Sequence, residues 1–280
     1  MSPTPIPELA PLEPRLIARG VWRLVAPNAS AMTGPGTNTY VLGDPPVAVL
    51  DPGPDDPAHL AAILALVPAP ETVFVTHTHR DHSPLAATLA TRCGARLVGR
   101  PPPGDGRQDL SFAPLVVPAR NQRFDVGGRA LRAIDTPGHA SNHVCWLLED
   151  ESLLFTGDHL LDGVTPVILA PDGDMADYLD ALQRLRGYRL ARLAPGHGRV
   201  LESPYELIDQ VEAHRLRREA QVAETLRAIG PGDLDALVAE VYRGIGPELL
   251  RFARLSLLAH LVKLERDGRA RREGDLWHGA

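Results

Sequence analysis

Four side chains able to hold a metal cation fall within six consecutive residues, His77-Thr78-His79-Arg80-Asp81-His82. In an extended turn His77 and His79, two apart, face one side. Asp81 continues that alternation, whereas His82 is shifted by one and aims elsewhere, toward a second ion. Three further candidates stand singly among turn residues: His139 in Thr136-Pro137-Gly138-His139, Asp158 in Thr156-Gly157-Asp158 and His197 in Pro195-Gly196-His197-Gly198. The neighbouring glycines let a tight turn aim a side chain inward. Five imidazoles and two carboxylates, without a cysteine, suit zinc, with iron and manganese as alternatives. Seven ligands exceed the three or four of one catalytic zinc. They suit two ions roughly 3.5–4 Å apart with one carboxylate bridging, a pair that makes hydroxide from water at neutral pH. The metals also stabilise the anion that develops on an attacked carbonyl or phosphoryl group. Asp81, with one carboxylate oxygen left over, is the catalytic candidate: it orients the water and carries a proton to the leaving group. His143, four residues after His139, faces either substrate or backbone. Cys145 reads as core, and His59, His214, His260 and His278 as surface or interhelical residues.

The elements that must position these residues are legible in outline. Thr72–Thr76 is a β-branched, apolar run that reads as a buried strand and delivers the His-rich segment at its carboxyl end, where open α/β folds place ligands. Val21–Val25, Thr39–Leu42, Val47–Leu50, Ala95–Val98, Leu131–Ile134, His143–Leu148, Ser152–Thr156 and Leu190–Ala194 read as further strands. Leu60, Ile63, Leu64 and Val67 at i, i+3, i+4, i+7 make Asp56–Val67 an amphipathic helix. Pro84–Thr91, with proline in its first turn, and Ala176–Leu185 are two more. After about Arg199 the pattern turns helical: Tyr205–Ile229, Asp233–Tyr242 and Pro247–Arg266, followed by a hairpin within Gly268–Trp277. The expected organisation is a Pro-rich N-terminal arm over 1–19, a mixed α/β catalytic domain over 20–200 and a helical domain over 201–280.

Composition narrows the partners. The 280 residues are 44% hydrophobic and 23% charged, ordinary for a globular chain, and the net charge of −6 advertises no surface for polyanions. The segment Val200–Ala280 carries 12 basic and 14 acidic residues. DNA is therefore not an expected partner, and Arg215, Arg217 and Arg218 read as a solvated or packing face. The stripe Leu250, Leu257, Leu258, Leu261 and Leu264 is core, with a homodimer interface as the other reading. Two cysteines outside any CxxC pair fit a reducing cytoplasm. No apolar run approaches the ~18–20 residues of a membrane span, and the first twenty residues lack the apolar stretch of a signal peptide. The expected location is cytoplasmic.

Taken in order, HTHRDH, TPGH, TGD and PGHG resemble the metallo-β-lactamase fold superfamily of metallohydrolases, over about residues 15–200. The resemblance implies an αββα sandwich within the α/β class. It implies a first metal on His77, His79 and His139, a second on Asp81, His82 and His197, and Asp158 as the bridge. Gly34-Pro35-Gly36-Thr37-Asn38-Thr39 and the three-helix tail are similar to the branch that ends in a winged helix, which includes acyl-carrier-protein thioesterases and single-strand endoribonucleases. Asn38 is, on that basis, a substrate-facing candidate. Zinc β-lactamases of the commonest class carry cysteine where Asp158 stands. The 38 residues between Asp158 and His197 leave no room for the large cap of the nuclease relatives. What the resemblance implies is a hydrolase, with two zinc ions, acting through a metal-bridging hydroxide on a thioester or other small activated carbonyl compound. RNA cleavage and a mononuclear iron persulfide dioxygenase-like reaction are the alternatives.

Overall fold

The computed structural model describes residues 9–280. By its internal contacts the chain divides into two units. The first comprises the chain up to Thr136, Asn142–Val164 and Tyr188–Pro204; the second comprises Pro137–Ser141, Thr165–Gly187 and Tyr205–Ala280.

The first unit is built on two sheets. Six strands, β1 (Arg15–Ala18), β2 (Val21–Val25), β3 (Asn38–Gly43), β4 (Pro46–Leu50), β5 (Thr72–Phe74) and β6 (Arg96–Val98), lie in chain order. The first four pair antiparallel, and β4, β5 and β6 run parallel. Parallel neighbours need crossovers, and helices α1 (Pro57–Leu66) and α2 (Pro84–Cys93) supply them. Asp56 starts α1 by accepting the amide of His59 at 2.8 Å. The second sheet has the order β11 (Arg192–Pro195), β10 (Leu153–Gly157), β9 (Val144–Leu148), β8 (Arg129–Asp135) and β7 (Arg123–Val126), with only β10 and β11 parallel.

Alternation along the strands sorts the side chains into two cores. Tyr40, Leu42, Leu50 and Phe74 of the first sheet meet Phe124, Leu131, Trp146 and Phe155 of the second. The other face of the first sheet, Val41, Val49, Val73 and Leu97, packs on Leu60 and Ile63 of α1 and on Leu85 and Leu89 of α2. The buried aromatics have polar tips that must find partners. Tyr40 Oη donates to the Pro195 carbonyl at 2.7 Å, and Trp146 Nε1 to that of Val75 at 3.2 Å. Each pins the chain two residues ahead of a candidate ligand, His197 and His77.

Two features differ from the sequence-based expectation. Arg15–Ala18, inside the stretch expected as an arm, pairs with β2 as an edge strand. Its backbone is used while Leu16 stays exposed, so no hydrophobic alternation marks it. Residues 1–8 of that stretch lie outside the described residues. The helical tail is also not segregated end to end. Within the second unit α3 (Met175–Leu185) and the following turn group with α4 (Pro204–Ile229) and α6 (Leu250–Arg266). Arg186 pairs with Glu212 at 2.8 Å, and Arg266 with Asp174 at 3.4 Å.

The C-terminal part of that unit has its own core. Val222 and Leu226 of α4, Leu237 and Val241 of α5 (Leu234–Val241) and Leu257, Leu261 and Leu264 of α6 surround Trp277. Trp277 lies in β13 (Leu276–Gly279), which forms a hairpin with β12 (Ala270–Glu273). Among the described residues no helix is long and apolar enough to cross a membrane.

Candidate metal centre

Every candidate ligand follows the carboxyl end of a strand: His77 to His82 after β5, His139 after β8, Asp158 after β10 and His197 after β11. Two groups of ligand-capable atoms result within the first unit, each within 4.8 Å: His77, His82 and Asp158; and Asp81, His82 and His197. Five of the seven residues singled out by their types and spacing, His77, Asp81, His82, Asp158 and His197, fall in these groups; His79 stands beside His77, and His139 belongs to the second unit. His77 Nε2 and His79 Nδ1 face each other at 2.9 Å. His82 Nε2 lies 3.5 Å from Asp81 Oδ2 and 3.4 Å from Asp158 Oδ1, and His197 Nε2 lies 3.3 and 3.4 Å from the same two oxygens.

The imidazoles are oriented from behind. His82 Nδ1 meets the Asp51 carboxylate at 3.0 Å, His77 Nδ1 meets Thr76 Oγ1 at 3.0 Å, and His197 Nδ1 meets the Gly36 carbonyl at 3.2 Å. His139 Nδ1 meets the Val167 carbonyl at 2.7 Å. A proton fixed on each Nδ1 leaves Nε2 as the lone-pair donor, the arrangement found around metal-ligating histidines. His82 Nε2 is buried without a well-formed hydrogen bond, with two carboxylate oxygens at 3.5 and 3.4 Å. A cation among these atoms would satisfy it, so the residues fit a divalent metal.

The electrostatics agree. Burial alone would raise Asp81 and Asp158, but His82 and His197 outweigh it, holding Asp81 at about 2 and Asp158 well below the usual carboxylate range. Burial would lower the two imidazoles. Asp81 and Asp158 instead raise His82 well above its ordinary value, and Asp158 is the chief cause that lifts His197 to about 9. The carboxylates thus demand positive charge, which protons or a metal can supply.

Backbone geometry admits the cluster at two glycines. A Cβ on Gly196 would come within 2.5 Å of Asp158 Oδ1 and 2.7 Å of His82 Cε1. Gly157 has φ +46, and a Cβ there would strike Thr76 Oγ1 and His143 Nε2 at 2.6 and 2.7 Å. These turns require the absence of a side chain so that the ligands can crowd in.

Two residues expected to face substrate are engaged within the fold. Asn38 is fully buried, and its Nδ2 donates to the carbonyls of Pro195 and Gly198, both at 2.9 Å. It clamps the turn that carries His197, and its amide hydrogens are used up doing so. His143 is also fully buried, with Nδ1 at 2.9 Å from Thr136 Oγ1 and Nε2 accepting the Asp158 amide at 3.2 Å. It supports Asp158 from behind. His59, expected at a surface or between helices, is buried on α1 with Nε2 2.8 Å from Thr39 Oγ1.

The residue that spacing did not single out is Asp51, at the end of β4. Its Oδ1 accepts the Thr76 amide at 2.7 Å, and its Oδ2 accepts Thr76 Oγ1 at 2.7 Å and binds His82 Nδ1. It adopts φ +47, a sparsely populated conformation for a residue with a Cβ. An acid before Pro52-Gly53 at a strand end, the context that marks Asp158, was the available signal. Behind the His-rich turn, Asn142 Nδ2 donates to Thr78 Oγ1 at 2.7 Å, and Ser83 Oγ to Asp109 Oδ2 at 2.7 Å.

Comparison with known proteins gives a consistent result. Residues 32–197 match the family model described as the metallo-beta-lactamase superfamily, and residues 234–277 that of the beta-lactamase associated winged helix domain. The chain is 34% identical to a beta-lactamase-like protein 2 homolog of Drosophila melanogaster, over 94% of this chain and 93% of that one. It is 30% identical to an atrochrysone carboxyl ACP thioesterase of Aspergillus fumigatus, over 86% of this chain and 76% of the relative. Among solved structures, a metallo-beta-lactamase family protein from Thermus thermophilus superposes with TM-score 0.79 at 23% identity, covering 95% of this chain and 100% of that one. A beta-lactamase domain protein from Burkholderia ambifaria superposes with TM-score 0.81 at 22% identity, covering 97% and 94%. These two establish the fold.

Proposed function

The chain belongs to the metallo-β-lactamase superfamily, an α/β metallohydrolase fold followed here by a winged-helix domain, and we propose that it hydrolyses thioesters of small or carrier-borne acyl groups. The observation that carries this reading is the convergence of imidazoles and carboxylates whose outward ring nitrogens are already engaged. The thioesterase name of the Aspergillus relative supports the substrate class. The net charge of −6 favours a small substrate over a polyanion.

On the family resemblance two zinc ions would be held, one assigned to His77, His79 and His139 and the other to Asp81, His82 and His197, with Asp158 completing the set. Bound there, divalent cations acidify a water and polarise the scissile carbonyl. Asp81 is the acid of the pair open to solvent, its side chain 28% exposed against 12% for Asp158. Thr37 Oγ1, 3.4 Å from Asp81 Oδ2, steadies it. Asp81 takes the proton of the attacking water and returns it to the departing sulfur. The products are a carboxylic acid and a thiol.

Metal stoichiometry on the purified protein, followed by thioester, lactone, β-lactam and RNA substrates, tests the proposal. Two cations per chain and thioester turnover that barely responds to salt are expected. RNA cleavage that falls steeply with salt would replace it with a nuclease, and one iron per chain with oxygen uptake would replace it with an oxygenase. In Asp81→Ala with its metal content retained, kcat should fall about 10²- to 10⁴-fold. Near-wild-type turnover in that variant would exclude the proton-transfer role.

A further inference from the structure

A cavity of about 380 Å³ opens within the second unit between the segment Thr165–Ile168 and helices α4 and α6. Val167, Ile168, Leu249 and Phe252 give it apolar walls, and Arg215, Arg218, His214 and Tyr242 line its other side. The polar side is unmatched. Arg215 is 3% exposed, donates to the Pro166 carbonyl and hydrogen-bonds the Tyr178 side chain, whose ring lies 5.4 Å from its guanidinium carbon. Its Nε has no hydrogen-bond partner, nor have Tyr242 Oη and His214 Nδ1, all three buried. Arg218 lies over the Tyr242 ring at 4.3 Å and otherwise bonds to Gln221 and the Val241 carbonyl. Among the described residues no carboxylate pairs with Arg215 or Arg218, whereas the nearby Lys263 and Arg269 share Glu219.

A buried guanidinium without a counter-ion is costly, and a carbonyl and a phenol hydroxyl, both neutral, do not supply one. A structural pin between α4 and the Pro166 segment would be served by a neutral donor. One buried and one half-buried guanidinium, neither with a carboxylate partner, beside the Tyr242 hydroxyl and His214 Nδ1, call for an anion with several acceptor oxygens. The apolar wall calls for a hydrocarbon body, and the volume lies in the range of small-molecule sites.

We propose that this cavity binds an amphipathic carboxylate, its apolar body against Val167, Ile168 and Phe252 and its head on the Arg215–Arg218 side. The Val167 carbonyl also holds His139 Nδ1, so an occupant presses on the segment that orients a metal-ligand candidate. Release of a carboxylic acid by the activity proposed above would make the site one for product or for an acid-bearing acyl group. The binding claim stands on the cavity alone.

Isothermal titration with octanoate, 1-octanol and octylamine on the metal-loaded protein tests it. Octanoate should bind about tenfold or more tightly than octanol, and octylamine not at all. Arg218→Met should abolish that preference while metal content and secondary structure stay unchanged. Phe252→Asp should remove octanoate binding from the apolar side. Equal binding of octanoate and octanol, or no octanoate binding to the wild type, overturns the site. Octanoate binding that survives Arg218→Met and disappears on chelation also overturns it, by assigning the carboxylate to the metal centre. These readouts do not depend on turnover, so absence of thioesterase activity would leave them intact.

Discussion

At the scale of single residues, the centre depends as much on the groups behind the ligands as on the ligands. Asp51 is the clearest case, because one carboxylate fixes both Thr76 and His82. Asp51→Asn preserves shape but removes the charged acceptor for the His82 ring proton. Metal affinity should drop about 10- to 100-fold with little loss of secondary structure, measured by chelator competition and circular dichroism. Asn38 permits a sharper separation of roles. Asn38→Ala leaves the buried carbonyls of Pro195 and Gly198 without their donor, and urea unfolding should show a loss of about 1–3 kcal/mol. A substrate contact would instead raise KM and leave stability alone.

Elements impose their own chemistry through burial. His59 on α1 and His260 on α6 are both fully buried. Burial pushes His59 down to about 4, against an opposing effect of Asp56. Burial pushes His260 down to about 3, aided by Arg215, Arg218, His214 and Lys263 around it. Each is neutral when folded yet takes up a proton near pH 6.5 when unfolded. The stability they contribute is therefore complete above about pH 6.5 and is lost as pH falls toward the folded values. Each group should steepen the decline by at most about 1.4 kcal/mol per pH unit in that window. His260→Leu should flatten the denaturation midpoint between pH 6 and 4, and an unchanged slope would remove His260 as a cause. The elements themselves were largely visible: α1 from Leu60, Ile63 and Val67, and β5 from its β-branched run. The edge strand β1 was not, since Leu16 faces solvent and only backbone pairing holds it.

For the whole molecule, the ligands on residues 77–82, 158 and 197 belong to segments far apart in the chain that lie in one unit. A cation held by them binds the folded state alone, so its removal should lower stability by mass action. At 100- to 1,000-fold excess over Kd the contribution is about 3–4 kcal/mol. Stripping with a chelator should accordingly lower Tm by on the order of 10 °C, recovered on adding zinc. A Tm indifferent to chelation would mean that these side chains do not hold an ion.

Residue type and spacing alone picked out the candidate ligands, because a metal constrains chemistry so tightly that four donors in HTHRDH, followed by His139, Asp158 and His197 in turns, have few other uses. The same kind of reading could not assign Asn38 and His143, since a polar residue near a candidate ligand can face either the substrate or the ligand's own support. Only the tertiary structure decided between these, by spending both amide hydrogens of Asn38 on the His197 turn and both ring nitrogens of His143 on Thr136 and the Asp158 amide. It also revealed Asp51 and the arginines without a carboxylate partner in the cavity beside α4 and α6. Hydrogen-bond satisfaction and charge compensation are properties of neighbours in space, and separation along the chain carries no record of them.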